Sequence, residues 1–405
     1  MQVDKTDTTM EENKKVRLLL NIEDYHLRAK QILPQMIYDF YCTGSDDQVT
    51  LVDNQLAYRR IKLRPKIFVD VSSHAALSSV NRHTKLLNSS VTISFPCIIA
   101  PTALHHLANR EHGELATVRA AVAHSTIMCV STAASTSMES IAEEHQRQIK
   151  EHYPQSHSQL WYQLYVFPDR RRTQQLIQRA ERCGYKAIVI TVDMCVLGNR
   201  ECDIHNDFAL PDGIRAENLI DDTGDDDDEL FNRPYDSSLS WKDLEWFRSI
   251  TQLPLIIKGI LHPDDARQAV RHGVQGIVVS NHGGRQLDTS QSTIEALSDI
   301  IRVVRDEEKN YEIDVYVDGG VRRGTDILKA VALGAKAVMV GRPILWGLAV
   351  DGEKVNLGDR GVMLPNAVKI KYLDKGSMVH LCASTEDRSG HVPSNDELEL
   401  EFKVW

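Results

Sequence analysis

Eight short apolar runs, most of them rich in β-branched residues, follow one another between residues 92 and 341, and they constrain the fold more than any other feature of the chain. In order they read TISFPCIIA, TIMCVS, LWYQLYV, AIVITVD, PLIIKG, GIVVSN, DVYVDGG and AVMVG. Amphipathic helical patterns such as RTQQLIQRAERCG separate most of them, and this alternation is typical of parallel βα units. The pattern predicts an α/β fold, a (β/α)8 TIM barrel. No GxGxxG follows the first run, which argues against an open dinucleotide-binding sheet.

Two segments depart from this alternation. The connection between the fourth and fifth runs, residues 194–240, is long and carries the acidic sequence DDTGDDDDE at 221–229, which predicts a solvated loop tip or lid. After the eighth run, GRPILWGLAVDGEK begins as a helix, but helical periodicity is lost beyond it. We expect a disordered N-terminal segment (1–20), a barrel with an N-terminal helical extension (21–354) and an atypical, disordered C-terminal tail (355–405). A barrel that lacks its eighth helix, with an exposed seam between its last and first strands, is one form that this pattern allows.

Composition excludes several classes of protein. The formal net charge of −10 argues against a nucleic-acid partner, and no apolar run reaches membrane-spanning length. The seven cysteines are odd in number and form no CxxC pair, so we expect free thiols in a reducing compartment and no metal site. The N-terminus is polar and has no apolar stretch of the kind found in secretory signals, so we expect no such signal, and the last residues, Lys403, Val404 and Trp405, do not match an SKL-type peroxisomal address.

Polar residues and glycines cluster where the predicted strands end. In barrel enzymes the carboxyl ends of all strands meet at one mouth, and the active-site residues come from these ends. In strand order the candidates are Pro101, Thr102 and Ala103; Ser131; Gln163 and Tyr165; Thr191 and Asp193, with Arg200 following; Lys258; Ser280, Asn281, His282 and Arg285; Asp318, Gly319, Gly320 and Arg322; and Gly341 and Arg342. All of them are predicted to face a single site.

The glycines and arginines after the last two runs predict a phosphate site. DGGVRRG at 318–324 and GRP at 341–343 supply backbone amides and guanidinium groups where barrels often hold a phosphate. A lone DGG would more simply be a turn. Its pairing with Gly341 and Arg342 at the next strand favours phosphate binding.

The charged groups of the other strand ends indicate acid–base chemistry on a carboxylic acid. His282 is the candidate general base because its ordinary pKa lies near neutrality, and Asp193 could orient it. Arg285 and Arg200 are forks suited to a carboxylate, and Lys258 is a fixed cation at the mouth. Each residue also has a plainer interpretation: a satisfied histidine, surface ion pairs, or a lysine that extends its ammonium to solvent.

These motifs resemble one known family. SNHGGRQLD at 280–288 followed by DGGVRRGTD at 318–326, together with IIAPTALHHLA, WYQLYVFPD and TVDMCVLGNRECD, is similar to the FMN-dependent L-2-hydroxyacid oxidases, the group of glycolate oxidase and the flavin lactate dehydrogenases. The resemblance covers about residues 21–354. It implies that the phosphate is that of FMN.

The resemblance also implies a role for each residue. His282 would take a proton from the substrate and pair as imidazolium with Asp193, while Arg285 and Arg200 would hold the substrate carboxylate. Tyr165 would hydrogen-bond the substrate hydroxyl, and Lys258 would stabilise negative charge at the flavin N1–C2=O edge. The implied cofactor contacts are Pro101, Thr102, Ala103, Ser131, Gln163, Thr191, Lys258 and Ser280 toward the ring and ribityl chain, and Asp318, Gly319, Gly320, Arg322, Gly341 and Arg342 toward the ribityl chain and phosphate.

Acceptor, compartment and assembly are further expectations from the resemblance. Relatives that reduce cytochrome c carry a haem domain before the barrel, and about twenty polar residues precede the matching region here. We therefore expect O2 as the acceptor, giving a 2-oxo acid and hydrogen peroxide. The family implies a peroxisomal homotetramer, whereas the absence of an SKL-type ending leaves the cytoplasm as the alternative.

Two positions depart from the glycolate oxidase pattern. Phe40 stands where those enzymes place a tyrosine hydroxyl near the substrate carboxylate, and Ala133 stands where an aromatic residue is usual. Both changes favour a medium- or long-chain 2-hydroxy acid over glycolate. The alternatives are glycolate as the main substrate, an impaired isoform with a truncated barrel that acts only in assembly with normal subunits, or an FMN-dependent isomerase. The combination of His282, Arg285 and Arg200 argues against the isomerase.

Overall fold

A computed structural model describes residues 19–65, 83–220 and 235–352, together with the backbone of two strands at 379–380 and 399–404. Nearly all of the N-terminal segment 1–20, the acidic sequence at 221–229 and the rest of the tail from residue 355 lie outside the described residues. Within the described ranges, no helix combines the length and the apolarity that a membrane span needs.

The described chain begins with the helical extension that the sequence predicted. Its helices are Ile22–Ile32 (α1), Gln35–Cys42 (α2) and Val49–Arg60 (α3), and Lys62–Pro65 (β1) follows. Asn21 caps α1, because its side chain accepts hydrogen bonds from the backbone N–H groups of Glu23 and Asp24. A hairpin of Thr84–Leu86 (β2) and Val91–Ile93 (β3) then precedes the barrel.

Eight parallel strands close the barrel, as the eight runs predicted. They are Cys97–Ile99 (β4), Ile127–Val130 (β5), Gln159–Leu164 (β6), Ile188–Thr191 (β7), Leu255–Ile260 (β8), Gly276–Val279 (β9), Asp314–Val317 (β10) and Ala337–Val340 (β11). Each strand pairs with the next, and β11 closes the ring by pairing with β4. Outside the barrel, Glu399–Val404 (β13) pairs in parallel with β1 and antiparallel with Val379–His380 (β12).

Helices follow the strands around the barrel. They are His105–Ala108 (α4), Gly113–Ala123 (α5), Met138–Glu151 (α6), Arg170–Arg182 (α7), Glu201–His205 (α8), Asp243–Ile250 (α9), Pro263–Arg271 (α10), Thr293–Ile301 (α11), Gly324–Ala332 (α12) and Arg342–Asp351 (α13). A π-helical turn, Arg302–Glu307, continues α11, and a 3-10 turn, Glu217–Leu219, lies in the β7–β8 connection. In α7, residues 173, 176, 177 and 180 are buried, which is the spacing of one helix face.

A helix does follow the eighth strand, so the form of the barrel without an eighth helix and with an exposed seam is wrong for the described chain. This helix, α13, begins with Pro343 in its first turn and packs against α1. Trp346 of α13 is 1% exposed and stacks on His26 at 5.0 Å and on Tyr38 at 5.8 Å between ring centroids. The outward side chains of the seam strands, Cys97, Ile99, Val338 and Val340, are buried in the main core. The apolar side chains of α13 thus pack against the N-terminal extension, a contact that sequence periodicity does not predict.

The inside of the barrel is a second apolar core. Side chains from successive strands meet there, including those of Ile98, Cys129, Trp161 and Tyr316. The β2–β3 hairpin packs into the same cluster, and the backbone N–H of Leu87 donates to the Asp314 carboxylate at 2.6 Å. Because Asp314 begins β10, the hairpin closes the amino-terminal end of the barrel and leaves the carboxyl end open for the site.

Candidate active site

A cleft opens at the carboxyl ends of the barrel strands, where the sequence predicted the site; we call it the active-site cleft. Its lining includes Phe40, Pro101, Thr102, Ala103, Ser131, Ala133, Gln163, Tyr165, Thr191, Arg200, Lys258, His282, Arg285, Asp318, Gly319, Gly320, Arg322, Gly341 and Arg342. Asp193 and Ser280 stand behind this lining and hydrogen-bond His282 and Lys258. Asn281 points elsewhere, because its amide pairs with that of Asn54 in α3.

His282 is held between Asp193 and Tyr165. Its Nδ1 lies 2.8 Å from Asp193 Oδ1, and its Nε2 lies 3.4 Å from the Tyr165 hydroxyl oxygen. A carboxylate can only accept, so Nδ1–H donates to Asp193 and the neutral ring carries its lone pair on Nε2. Burial lowers the pKa of His282 below its ordinary value of 6.5; Asp193 opposes this and Lys258 adds to it. The ring is therefore neutral near pH 7 and can accept a proton at Nε2.

The turn after β9 explains the two glycines beside this histidine. His282 has a left-handed φ of 57°, and Gly283 and Gly284 continue with φ of 65° and 74°. A Cβ at Gly284 would lie 2.7 Å from the backbone of Leu51, so the close approach of α3 also requires glycine. The chain thereby turns sharply enough to bring both His282 and Arg285 into the cleft.

Lys258 is a buried cation between two carboxylates. Its Nζ donates to Ser280 Oγ at 3.0 Å and lies 3.5 Å from Asp318 Oδ2 and 4.0 Å from Asp193 Oδ2. Ser280 in turn donates to Asp318 at 2.9 Å. Burial acts to lower the pKa of Lys258, but the carboxylates of Asp193 and Asp318 outweigh it and the pKa is raised. The ammonium group therefore stays charged while it lines the cleft.

Both arginines of the predicted carboxylate clamp are buried, but their hydrogen-bond partners differ. Arg285 donates from Nη1 to the carbonyls of Phe40 at 2.6 Å and Thr43 at 3.0 Å, and burial lowers its pKa well below the ordinary value. Arg200 is 7% exposed, and its Nε has no hydrogen-bond partner among the described residues. A buried, unsatisfied guanidinium nitrogen in a cleft calls for an anionic ligand.

The far side of the cleft fits the predicted phosphate. Arg342 donates to the carbonyls of Tyr41, Gly283 and Thr43, at 2.7 to 2.9 Å, and burial together with Arg322 lowers the pKa of Arg342 to about 10. Two buried cations that repel one another favour a bound dianion. The neighbouring backbone leaves no room for side chains, because a Cβ at Gly320 would lie 1.9 Å from the carbonyl oxygen of Asn54.

The polar groups along the floor of the cleft fit the rest of FMN. Gln163 accepts from Ser131 at 3.3 Å and donates to Thr191 at 3.1 Å, so it presents a fixed amide between β5 and β7. Asp318 Oδ1 is buried without a hydrogen-bond donor among the described residues, as an acceptor for ribityl hydroxyls would be. The donor set thus suits a polyol phosphate attached to a polar ring, and no group of His, Cys, Asp and Glu in the described ranges could hold a metal ion.

Several lining residues were missed from the sequence. Tyr235, Met194 and Leu197 come from the long β7–β8 connection, and the Tyr235 ring packs on Tyr165 at 4.8 Å between centroids. The sequence marked this connection as a lid, but no periodicity indicated which of its residues turn inward. The aromatic wall at Phe40 is also extended from there, since Phe208 stacks on Phe40 at 4.5 Å.

Comparison with known proteins agrees with this geometry. Residues 29–356 match the model of the FMN-dependent dehydrogenase family. The chain is 46% identical over 340 residues to the peroxisomal (S)-2-hydroxyacid oxidase GLO3 of Arabidopsis thaliana, which covers 83% of this chain and 87% of that protein. It is 43% identical to 2-hydroxyacid oxidase 1 of Homo sapiens, with 83% and 87% covered. The solved structure of mandelate oxidase with (S)-2-phenylpropionate superposes with a TM-score of 0.71 at 37% identity, covering 83% of this chain and 89% of that one. The chain therefore belongs to the FMN-dependent dehydrogenase family, and it is an FMN-dependent oxidoreductase of the 2-hydroxyacid oxidase type.

Proposed function

We propose that the protein oxidises a medium- or long-chain L-2-hydroxy acid to the 2-oxo acid, with FMN as electron carrier and O2 as acceptor, and releases hydrogen peroxide. The observation that carries the proposal is the orientation of His282. Its Nδ1 is engaged by Asp193, which leaves Nε2 facing Tyr165 in a cleft that also holds Arg200 and Arg285. A base, a hydroxyl partner and a carboxylate clamp thus surround one volume.

The proton step belongs to His282. The neutral ring takes a proton from the substrate at Nε2, and the imidazolium that forms is stabilised by Asp193 at Nδ1. Tyr165 contributes a hydroxyl that stays protonated, because burial raises its pKa. It can therefore hydrogen-bond the substrate oxygen throughout the reaction.

Substrate orientation belongs to the two arginines. Arg200 offers its unsatisfied Nε, and Arg285 stands fixed by the carbonyls of Phe40 and Thr43. A guanidinium group can donate two parallel hydrogen bonds to a planar carboxylate, which a lysine ammonium group cannot match. Two arginines in the cleft therefore favour a substrate that carries a carboxylate. A 2-hydroxy acid held this way presents its carbinol carbon to His282.

The cofactor residues divide along the cleft. FMN would be held by Gln163, Thr191 and Asp318 along its polar ring and ribityl chain and by Arg322 and Arg342 at its phosphate, and when bound it accepts the two electrons that the substrate loses. Lys258, in the carboxyl half of β8, keeps a fixed positive charge that stabilises negative charge developing in the cleft.

The proposed chain length depends on two side chains. Phe40 and Ala133 both line the active-site cleft, and Ala133 leaves space where a larger side chain would block an alkyl group. Phe40 presents an apolar ring, stacked on Phe208, in place of a hydroxyl. An apolar, open wall favours a 2-hydroxy acid with an alkyl chain over glycolate, whose carbinol carbon carries only hydrogen in that place.

Compartment and assembly are also proposals. Two Arabidopsis thaliana relatives, at 46% and 44% identity, are named peroxisomal oxidases, and a peroxisomal homotetramer is the arrangement we propose here. Fluorescence of a tagged full-length chain beside a peroxisomal marker tests the first, and sedimentation of the purified holoenzyme tests the second. Diffuse cytoplasmic signal or a monomer would contradict them.

The reaction is tested by a visible spectrum of the purified chain under anaerobic conditions. We expect the spectrum of bound oxidised flavin, and bleaching of that band when racemic 2-hydroxyoctanoate is added. Admission of air should restore the band and produce hydrogen peroxide in equal amount to the 2-oxo acid. Soluble protein that takes up no FMN, or whose flavin is not bleached by any 2-hydroxy acid, would refute the proposal.

A further inference from the structure

A second cavity lies outside the barrel wall, next to the active-site cleft; we call it the outer cavity. It lies between the carboxyl halves of β7 and β8 and the helix α9. Most of the residues that line it are apolar and come from both strands, from α9 and from the loop before it, among them Ile190, Ile257, Leu239, Trp241, Leu244 and Phe247. The mechanism proposed above makes no use of this space.

The outer cavity and the active-site cleft meet at three shared residues. Thr191, Met194 and Tyr235 line both cavities. Thr191 is held by its hydrogen bond to Gln163, whereas Met194 is an unbranched, adaptable side chain that is 8% exposed. Tyr235 packs on Tyr165, whose hydroxyl faces His282. Met194 and Tyr235 therefore form the boundary that a group extending from the substrate position past Tyr165 would meet.

The polar side chains of the outer cavity do not make it a site for a charged ligand. Asp236 is already paired, since Arg170 lies 2.6 Å from its carboxylate and the Ser238 hydroxyl donates to it at 2.6 Å. Ser240 and Asp265 are exposed and form the rim. No lysine or arginine lines the cavity among the described residues. An uncharged, apolar ligand fits this combination of an apolar interior and an engaged acid.

We propose that the outer cavity receives the distal methylenes of an unbranched alkyl chain while the carboxylate and hydroxyl of the same substrate remain in the active-site cleft. The inference rests on the proposed function, and it assigns to Met194 and Tyr235 the selection for the distal methylenes, beyond the part of the chain that Phe40 and Ala133 contact. Short acids end before these side chains. Longer acids displace Met194 and bury their methylenes against Ile190, Ile257 and Phe247.

The expected effect follows from the burial of methylene groups. Each methylene that leaves water for an apolar surface raises kcat/KM by about fourfold, because its transfer is worth about 0.8 kcal/mol. In the series 2-hydroxybutanoate, 2-hydroxyhexanoate and 2-hydroxyoctanoate, kcat/KM should therefore keep rising with chain length, because the outer cavity takes up the methylenes that the active-site cleft cannot hold.

Two valines on one loop provide a matched pair of variants. Val192 lines the outer cavity and is 37% exposed, whereas Val196 is 71% exposed and lines neither cavity among the described residues. In Val192→Trp the indole fills the outer cavity, and we expect the ratio of kcat/KM for 2-hydroxyoctanoate over 2-hydroxybutanoate to fall by about tenfold or more, the equivalent of two methylenes. Val196→Trp should keep the wild-type ratio. Leu239→Trp, in the loop before α9, should lower the same ratio to a similar extent.

A binding measurement separates this proposal from the proposed function. Calorimetric titration of the oxidised holoenzyme with 2-oxooctanoate and 2-oxobutanoate should give a more negative heat capacity change for the longer acid, and Val192→Trp should remove the difference. If no 2-hydroxy acid reduces the flavin, the proposed function fails, and this titration still decides the outer cavity. If short acids are oxidised but Val192→Trp keeps both the wild-type ratio and the heat capacity difference, the outer-cavity proposal is overturned while the proposed function stands.

Discussion

The Nδ1 atom of His282 lies 2.8 Å from Asp193 Oδ1, although 89 residues separate the two along the chain. This pair determines which nitrogen of the imidazole faces the substrate. Asp193 also lies 4.0 Å from the Lys258 ammonium, so one carboxylate stabilises both the base and the fixed cation of the site. The buried Asp193 carboxylate has a lowered pKa: burial acts to raise it, and His282 and Lys258 outweigh that effect.

Replacement of the base should abolish the reductive half-reaction without loss of the cofactor. Asparagine suits position 282, because it tolerates the left-handed backbone there better than most residues. For His282→Asn we expect the anaerobic rate of flavin reduction to fall by about 10²- to 10⁴-fold, the usual contribution of a general base. The measurement is stopped-flow absorbance with the flavin-to-protein ratio as control. Reduction within tenfold of the wild-type rate would show that another group takes the proton.

The pH dependence of kcat/KM should report the titration of His282. A base acts when it is unprotonated, so kcat/KM is high above its pKa and falls as the pH drops through it. Because burial lowers the pKa of His282, the acid limb should lie below pH 6.5.

Asp193→Asn should move that acid limb to lower pH, because the carboxylate that raises the pKa of His282 is removed. The plateau should also fall by about 10- to 150-fold, which corresponds to the loss of a hydrogen bond to a charged group worth about 1.5 to 3 kcal/mol. A pH series of kcat/KM for both proteins checks this. A limb that shifts to higher pH in the variant would contradict the assigned pair.

The two clamp arginines should differ in what their loss affects. Arg200 has an unsatisfied Nε, so Arg200→Lys should raise KM for the hydroxy acid by about 10- to 150-fold with little change in Tm. Arg285 also holds the carbonyls of Phe40 and Thr43, so Arg285→Lys should raise KM and lower Tm together. Steady-state kinetics and thermal melts of the two holoenzymes test this. Equal Tm losses in both variants would argue that Arg200 is structural.

The lining of the active-site cleft should set the preference for chain length. The wild-type protein should have a higher kcat/KM for 2-hydroxyoctanoate than for glycolate. Ala133→Trp should lower the value for 2-hydroxyoctanoate by about tenfold or more, since an overpacked site costs about 1 to 3 kcal/mol. Phe40→Tyr serves as the companion variant, because its added hydroxyl would act on the carboxylate that both acids share and should lower KM for both. A wild-type preference for glycolate would make the chain-length proposal wrong.

Gly320, at the predicted phosphate site, should be required for both folding and FMN binding. Gly320 has a φ of 75°, and a Cβ there would lie 1.9 Å from the Asn54 carbonyl oxygen. Gly320→Ala should therefore lower the free energy of unfolding by more than about 1 kcal/mol and reduce the flavin content. Gly324→Ala is the control, since nothing lies within 4 Å of the added methyl group. Urea unfolding and flavin absorbance measure the two effects, and equal behaviour of both variants would contradict the close approach.

Much of this protein could be predicted from local sequence. The composition of runs such as GIVVSN and AVMVG predicts buried parallel strands, and the number of these strands predicts a closed barrel. The polar residues at the strand ends are then placed at one mouth by the handedness and closure of the fold. For this reason the predicted residues other than Asn281 line the cleft or stand directly behind it, as Ser280 does beneath Lys258.

What the sequence could not determine depends on contacts between distant segments. Hydrophobic periodicity depends only on residues that are close along the chain, so it could not predict that Trp346 would stack on His26 and Tyr38. For the same reason the sequence did not establish that a helix covers the seam after the eighth strand. The same holds for Tyr235 and Met194, which reach the cleft from an aperiodic connection.

Sequence alone determined the strands, the types of reactive group and the end of the barrel that holds them. Only the tertiary structure decided that Asp193 engages Nδ1 of His282 and leaves Nε2 facing Tyr165, because that choice depends on how the ends of β7 and β9, on either side of β8, approach one another when the barrel closes.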